Sequence, residues 1–361
     1  MLRWFGGALL LAVALLFVFG RPIAWTQAAL IMWDVAAGGR PTLWQEVTDP
    51  PREYPAKWAD GEGDVYAPAG RVRAALVLVP GAAVLGRDEP RLQALARSFA
   101  RAGFVVLVPE LPEVRRLALS KLDADRVASA LRQLRQWQPG QPLGVAAVSY
   151  AVAPAVIAAL ETQPQFVVGI GGYRDAEAAI RFVTTGVFRP VGDPREHRMA
   201  PNTYGRWAFL LANAGRVDDP DDAVGLQAIA LAHWRGGDVA GFAARLGPEG
   251  KAVLALVENQ DPDAVTRLVE ALPARVRREI DGLNLALYDL SKLRGHLILV
   301  HGRGDPLVPY SESQALAAAA TNAQVSLFLV DELGHVDFNA VTLANAWTMG
   351  SAIAALLGER K

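Results

Sequence analysis

Cysteine is absent from this chain. That excludes disulfides, a thiolate nucleophile and cysteine-ligated metal, and it leaves the redox compartment open. Charge is scarce as well: 20% of the residues are charged, the formal net charge is -1, and no stretch is strongly basic. A phosphate-tracking surface is therefore not expected, and no nucleic-acid partner is implied. Histidines number only five and none falls in an H-E-x-x-H spacing. No motif for a hydrolytic metal is present, so the sequence implies neither a metal nor an organic cofactor. Internal repeats and low-complexity tracts are missing too. What the chain has in quantity is hydrophobic residues, 52% of 361, enough for a sizeable core and too many for a disordered chain.

One apolar run stands apart. From Trp4 to Gly20 there is no charged or strongly polar side chain, and Arg3 and Arg21 bracket the run. Its length is at the short end of the roughly 17 to 25 residues that span a bilayer. It exceeds the roughly 7 to 15 residues of a signal-peptide core. A small-x-small site, Thr26-Gln27-Ala28, follows only after Arg21, Pro22 and Trp25. Residues 1–22 are therefore read as an uncleaved membrane anchor in preference to a signal peptide, whose removal would make the protein secreted. By the usual N-in route the body is expected outside the cytoplasm, periplasmic or extracellular. Residues 23–60 read as a connector, its Trp25, Trp33, Trp44 and Trp58 lying either at the membrane interface or on the domain surface.

The folded body is expected over residues 61–361. Asp64-Val65-Tyr66 reads as an edge strand, and the short apolar run from Ala74 ends at Pro80-Gly81 as a buried parallel strand. Leu92, Leu95, Ala96, Phe99 and Ala100 give an amphipathic helix, and Phe104 to Val108 the next strand. A helix follows over about 123–137, then a strand from Gly144, a helix with Val156, Ile157 and Leu160, and a strand at Phe166 to Ile170. This alternation predicts an α/β fold with a doubly wound, mostly parallel sheet. About 174–292 breaks the rhythm and reads as a helical cap over the sheet edge. The sheet resumes at His296 to His301 and at Gln324 to Val330, and a last helix carries Leu343, Trp347 and Ile353.

The chemistry is read at the strand ends. Ala147-Val148-Ser149-Tyr150-Ala151 joins a strand to a helix, the setting of a nucleophile elbow, which lifts a serine hydroxyl above the C-terminal edge of the sheet. The bland alternative is a surface serine that caps the helix. A serine needs a base to take its proton and an acid to hold the base. His335, past the last strand, is the expected base. His301 is expected to pack within its own loop, His296 lies at the wrong edge, and His197 and His233 lie in the insertion. Asp305, in His301-Gly302-Arg303-Gly304-Asp305, is the expected acid, with Asp175 as runner-up and Asp331 and Glu332 as solvated turn residues. Two N–H groups should stabilise the oxyanion, those of Tyr150 and of Ala82 after the earlier strand.

With these residues in view, the chain resembles the α/β-hydrolase fold proteins of the esterase, lipase and dienelactone-hydrolase-like group. The marks are the Pro80-Gly81-Ala82 turn, the Ser149 elbow, the loop to Asp305 with its Val308-Pro309 tail, and Gly334-His335. The resemblance covers about residues 61 to 361 apart from the insertion. It implies a Ser149 nucleophile, an Asp305 acid and a His335 base, with Ala82 and Tyr150 at the oxyanion position. The chain departs from the pattern at Pro80, where many members have His-Gly, and at Ala147 and Ala151, which replace the elbow glycines. The implied activity is hydrolysis of a small-molecule or lipid-like ester through an acyl-enzyme. Acyl transfer or thioester hydrolysis on the same triad, and a non-catalytic membrane-tethered binding protein, remain as alternatives.

Overall fold

The computed structural model describes residues 22–38, 40–118, 120–331 and 343–361. The apolar run from Trp4 to Gly20 and the expected base His335 lie outside them. Among the described residues no helix is long and apolar enough to cross a membrane.

An eight-stranded sheet organises the chain, in the order β1-β2-β4-β3-β5-β6-β9-β10. The strands are β1 Arg52–Trp58, β2 Gly61–Ala67, β3 Ala74–Val79, β4 Phe104–Pro109, β5 Leu143–Val148, β6 Phe166–Ile170, β9 His296–Gly302 and β10 Gln324–Val330. A separate two-stranded ribbon pairs β7 Val187–Phe188 with β8 His197–Arg198. From β4 to β10 the large sheet is parallel, and β1 and β2 join it antiparallel. Successive side chains of a strand face opposite ways, and β3 shows what that means here. Ala75, Val77 and Val79 enter one core, whereas Ala74, Leu76 and Leu78 enter another. A strand covered on both faces must be apolar at every position, which is why β3 and β4 read as unbroken hydrophobic runs.

Helices supply the covers. On one face lie α1 Pro22–Ala36, α2 Pro90–Arg101 and, after β10, α11 Leu343–Leu357. The other face carries α3 Leu122–Trp137, α4 Val152–Thr162 and α10 Ser311–Ala319. Between β6 and β9 the chain forms α5 Ala176–Thr185, α6 Thr203–Asn213, α7 Pro220–Arg235, α8 Pro248–Val257 and α9 Ala274–Leu283, with shorter turns between them. This insertion has a core of its own, built on Trp207, Leu210, Leu226, Ile229 and Leu246. Asp222 ties α7 to α8 by accepting from the backbone N–H groups of Gly247 and Gly250.

Two features differ from the sequence expectation. Residues 23–60, expected as a connector, contribute α1 and β1 to the fold, with Ala28, Ile31 and Trp44 buried in the core. The edge of the sheet is therefore β1, and β2, which holds Asp64-Val65-Tyr66, lies inside it. The physical reason is visible in β1 itself. Its residues are mostly exposed and include Pro55, which an edge strand tolerates because its outer N–H positions need no partner.

Candidate active site

The strand order reverses at β3: β4 lies on one side of it and β5 on the other. In open α/β sheets such a reversal opens a crevice beyond the C-terminal strand ends. The loops after β3 and β5 therefore meet there, and they carry Gly81-Ala82 and Ser149. Contact between them is close. A Cβ added to Gly81 would stand 3.1 Å from the Val148 carbonyl oxygen, closer than most side chains come to a backbone oxygen, and 3.7 Å from Ser149 Cβ, in ordinary contact. Gly81 thus lets the two loops approach, and Ala82 beside it is half-buried against the core.

Ser149 itself is held in the left-handed region, with φ of 57°. For an L-residue this conformation costs about 1–2 kcal/mol, and it persists only where the surroundings enforce it. A single tight turn, Ser149–Ala151, passes straight into α4. Ala147 and Ala151 are fully buried, so the small residues flanking the serine are packed against neighbours on both sides. A missing glycine at the elbow is matched by one elsewhere. At Gly172, past β6, an added Cβ would lie 2.4 Å from Val152 Cβ, inside van der Waals contact. The room that the first turn of α4 needs is therefore provided by the neighbouring strand's exit.

The residue after the serine is anchored by its side chain. Tyr150 is buried, and its hydroxyl accepts from the Ser120 N–H at 2.9 Å. The same hydroxyl lies 3.0 Å from Asp123 Oδ2 and 3.3 Å from the Ser120 carbonyl oxygen, either of which can accept its hydrogen bond. Asp123, on the first turn of α3, is fully buried. Burial raises its pKa to about 7, against the lowering effect of the Tyr150 hydrogen bond and of Arg126, whose Nη1 stands 3.7 Å from Oδ1. Burial likewise pushes the Tyr150 phenol far above its ordinary range. This network fixes the peptide whose N–H is the expected oxyanion donor. Nothing in the sequence pointed to it, since Asp123 and Tyr150 lie 27 positions apart.

Asp305 sits at the end of β9. One strand, β6, separates β9 from β5, and at about 4.8 Å per strand the two ends stand about 10 Å apart. The carboxylate is buried, and Oδ1 accepts from the N–H groups of Leu307 at 2.8 Å and Val308 at 3.1 Å. Its other oxygen is 3.5 Å from His301 Nε2. His301 is engaged at both ring nitrogens, by Ser313 Oγ at 2.7 Å and by the Val308 carbonyl at 2.9 Å, as its expected role within the loop requires. The insertion grips the same loop: Asn202 N–H donates to the Pro306 carbonyl at 2.7 Å, and Leu307 packs against Gly205.

The remaining candidates have other partners. His296 bonds Glu359 at 2.7 Å and Ser326 at 2.9 Å, His197 bonds Asp193 at 2.9 Å, and His233 stacks on Trp207 at 3.6 Å. Asp175, the runner-up acid, caps α5 by accepting from the N–H of Glu177 and of Ala178. Its own N–H donates to the buried Glu312 at 2.8 Å, whose pKa burial raises to about 7. Beside Glu312 a depression of about 340 Å³ is lined by Arg181, Phe188, Arg189 and Glu196, and Ser149 is not in its wall. No group of three His, Asp or Glu able to hold a metal occurs among the described residues.

A strained serine on a strand-to-helix turn at the switch point, in a mostly parallel sheet with an antiparallel edge, decides the architecture. The chain has the α/β-hydrolase fold. No protein-family model and no curated protein matches it. Among solved structures, the chain is similar to the carboxylesterase EstE1 from a metagenomic library, at 12% identity and a TM-score of 0.49, over 94% of this chain and 95% of that one. It is similar to a hormone-sensitive lipase from a metagenome library at 13% identity and a TM-score of 0.48, over 86% of each chain. It is also similar to an acylaminoacyl peptidase of Pyrococcus horikoshii at 10% identity and a TM-score of 0.48, over 87% of this chain. The chain spans only 41% of that peptidase's length.

Proposed function

We propose that the protein is a serine hydrolase that cleaves carboxylic esters through an acyl-enzyme, with Ser149, His335 and Asp305 as its triad. The observation that carries this reading is the strained backbone at Ser149, φ 57°, at the switch point beneath the Gly81-Ala82 loop. A helix-capping serine needs no such strain, because an N-cap residue sits in the extended region. Support for the acid comes from Asp305, a buried carboxylate two strands away at the same edge of the sheet. That gap is of the size an imidazole fills when it bonds a serine on one side and a carboxylate on the other. The histidines at 197, 233, 296 and 301 have the other partners described above, which favours His335.

In this mechanism Ser149 Oγ attacks the ester carbonyl carbon while His335 takes the hydroxyl proton. The carbonyl oxygen becomes an oxyanion that the N–H groups of Tyr150 and Ala82 stabilise. Collapse expels the alcohol, which receives its proton from His335, and leaves the acyl group on Ser149. Water then adds to the acyl carbon as His335 takes its proton, and the acid leaves as Ser149 regains its hydrogen. Asp305 holds the imidazole in the required tautomer throughout. The helical insertion, which hydrogen-bonds the Asp305 loop, acts as the cap that shields the crevice from water. The uncharged run from Trp4 to Gly20 belongs to the same proposal as a membrane anchor, with the body extracytoplasmic.

The test is turnover of chromogenic esters of graded acyl length, alongside the matching thioesters and anilides. Ester cleavage with an initial burst of alcohol, abolished in Ser149→Ala, is the expected result. Transfer of the acyl group to an added alcohol in preference to water would identify an acyltransferase. A folded parent that turns over none of these substrates would favour the binding-protein alternative.

A further inference from the structure

Helices α1 and α11 lie side by side on one face of the molecule. The rings of Trp25 and Trp347 stack with centroids 4.4 Å apart, and at Gly350 an added Cβ would come within 3.2 Å of Trp25. Each helix is 15 residues long, and their outward surfaces share an unusual property. On α1 the inward positions Ala24, Ala28 and Ile31 are buried, and the outward ones are Ile23, Thr26, Ala29, Trp33 and Ala36. On α11 Ala344, Trp347, Thr348 and Ser351 face outward. Ile23 is 70% exposed, Trp33 53% and Trp347 59%, and no outward residue of either helix is charged.

The absence of outward charge is shared by α10 but not by the other helices that cover the sheet. The water-facing helix α3 exposes Asp125, Arg132 and Arg135, and α2 exposes Arg91. The one ionisable side chain of α1, Asp34, turns inward and accepts from Thr42 Oγ1 at 2.6 Å, Gln45 Nε2 at 2.8 Å and Ser98 Oγ. Arg360, just past α11, also turns in, to the Ala102 carbonyl and Gln27 Oε1. A helix without a polar face is normally buried in protein or in lipid. Helix α1 begins at Pro22, directly after the uncharged stretch from Trp4 to Gly20 and Arg21. Proline lacks an N–H and disfavours helical geometry at the residue before it, so the chain can change direction at that junction. Exposed tryptophans are enriched where such a stretch enters the headgroup region.

We propose that the α1–α11 face rests in the headgroup layer of the bilayer that the Trp4–Gly20 run enters, so that the body lies flat against the membrane by this face. The inference rests on the anchoring reading of residues 4–20 and is independent of the triad. Because the chain has no cysteine, single substitutions place one nitroxide label each. Ala29→Cys and Ala344→Cys report the face, Leu10→Cys the run, and Gln136→Cys on α3 the opposite layer. The full chain is reconstituted into vesicles of equimolar phosphatidylcholine and phosphatidylglycerol. Collision of each label with oxygen, which enters lipid, is compared with collision with a water-soluble nickel chelate.

The expected result is a severalfold higher oxygen-to-nickel ratio at positions 29 and 344 than at 136, with position 10 higher still. A lipid signal at 10 with 29 and 344 as water-exposed as 136 would overturn the proposal while the anchor stands. Water exposure at all four positions would overturn both. Spin–spin broadening at 29 or 344 that disappears on dilution with unlabelled protein would assign the face to a second copy of the chain, and would also overturn the proposal.

Discussion

Replacing Asp123 by asparagine tests whether the anchor behind the elbow is as dry as its burial indicates. The folded chain raises this carboxyl from 3.8 to about 7, mainly by burial, whereas the unfolded chain leaves it at 3.8. Between those values the native state holds a proton that the unfolded state has released. The stabilising contribution is therefore complete below the unfolded value and is lost as pH rises through about 7. At about 1.4 kcal/mol per tenfold change in proton affinity, the rise from pH 5 to pH 8 removes about 2–3 kcal/mol from the parent. Asparagine keeps an oxygen for the Tyr150 hydroxyl and has no proton to lose. Asp123→Asn should thus gain about 2–3 kcal/mol on the parent between pH 5 and pH 8. The buried Glu312 contributes a slope of the same sign to both proteins and cancels in the difference. Urea unfolding of parent and variant at both pH values, followed by tryptophan fluorescence, measures this directly. A stability difference that is the same at pH 5 and pH 8 would mean that Asp123 is already ionised in the fold, and would refute the reasoning.

Other expectations follow from the same geometry. Ser149→Gly should abolish ester turnover yet raise the unfolding free energy by about 1 kcal/mol, because glycine adopts φ of 57° without strain; no gain in the urea midpoint would count against a strained elbow. Gly172→Ala forces a methyl into Val152 and should cost about 1–3 kcal/mol and disturb the elbow, read as a lowered melting temperature together with lowered turnover. Asp222→Ala leaves the buried N–H of Gly250 and the half-buried N–H of Gly247 without their carboxylate partner and should cost the insertion about 1–3 kcal/mol. Limited proteolysis should then cut between α7 and α8 first, and cleavage unchanged from the parent would contradict this role.

Much of the sheet was legible in the sequence because its strands are covered on both faces, so that β3, β4 and β9 stand out as short unbroken apolar runs. The elbow was legible for a related reason, since a serine between such a strand and an alanine-rich helix has few other settings. The tight loop that holds the Asp305 carboxylate could be read from the glycines that let it turn. What sequence hid was non-local. The edge strand β1 reads as a loop because its residues face water and include Pro55. Helix α1 carries no charge pattern to separate an inner from an outer face, so the segment passed for a connector. The bond from Tyr150 to Asp123, and the exchange of elbow glycines for Gly81 and Gly172, exist only once the strands lie side by side. His335 was named from its position past the last strand and lies outside the described residues.

The most direct test of the central claim is labelling with a fluorophosphonate, which phosphonylates only a serine whose hydroxyl has been activated. Peptide mass mapping of the purified full chain should find the adduct on Ser149. Labelling should vanish in Ser149→Ala and slow strongly in His335→Ala and Asp305→Asn, with folding verified for each. An adduct on another serine, or no adduct in a folded parent, would contradict a Ser149 nucleophile.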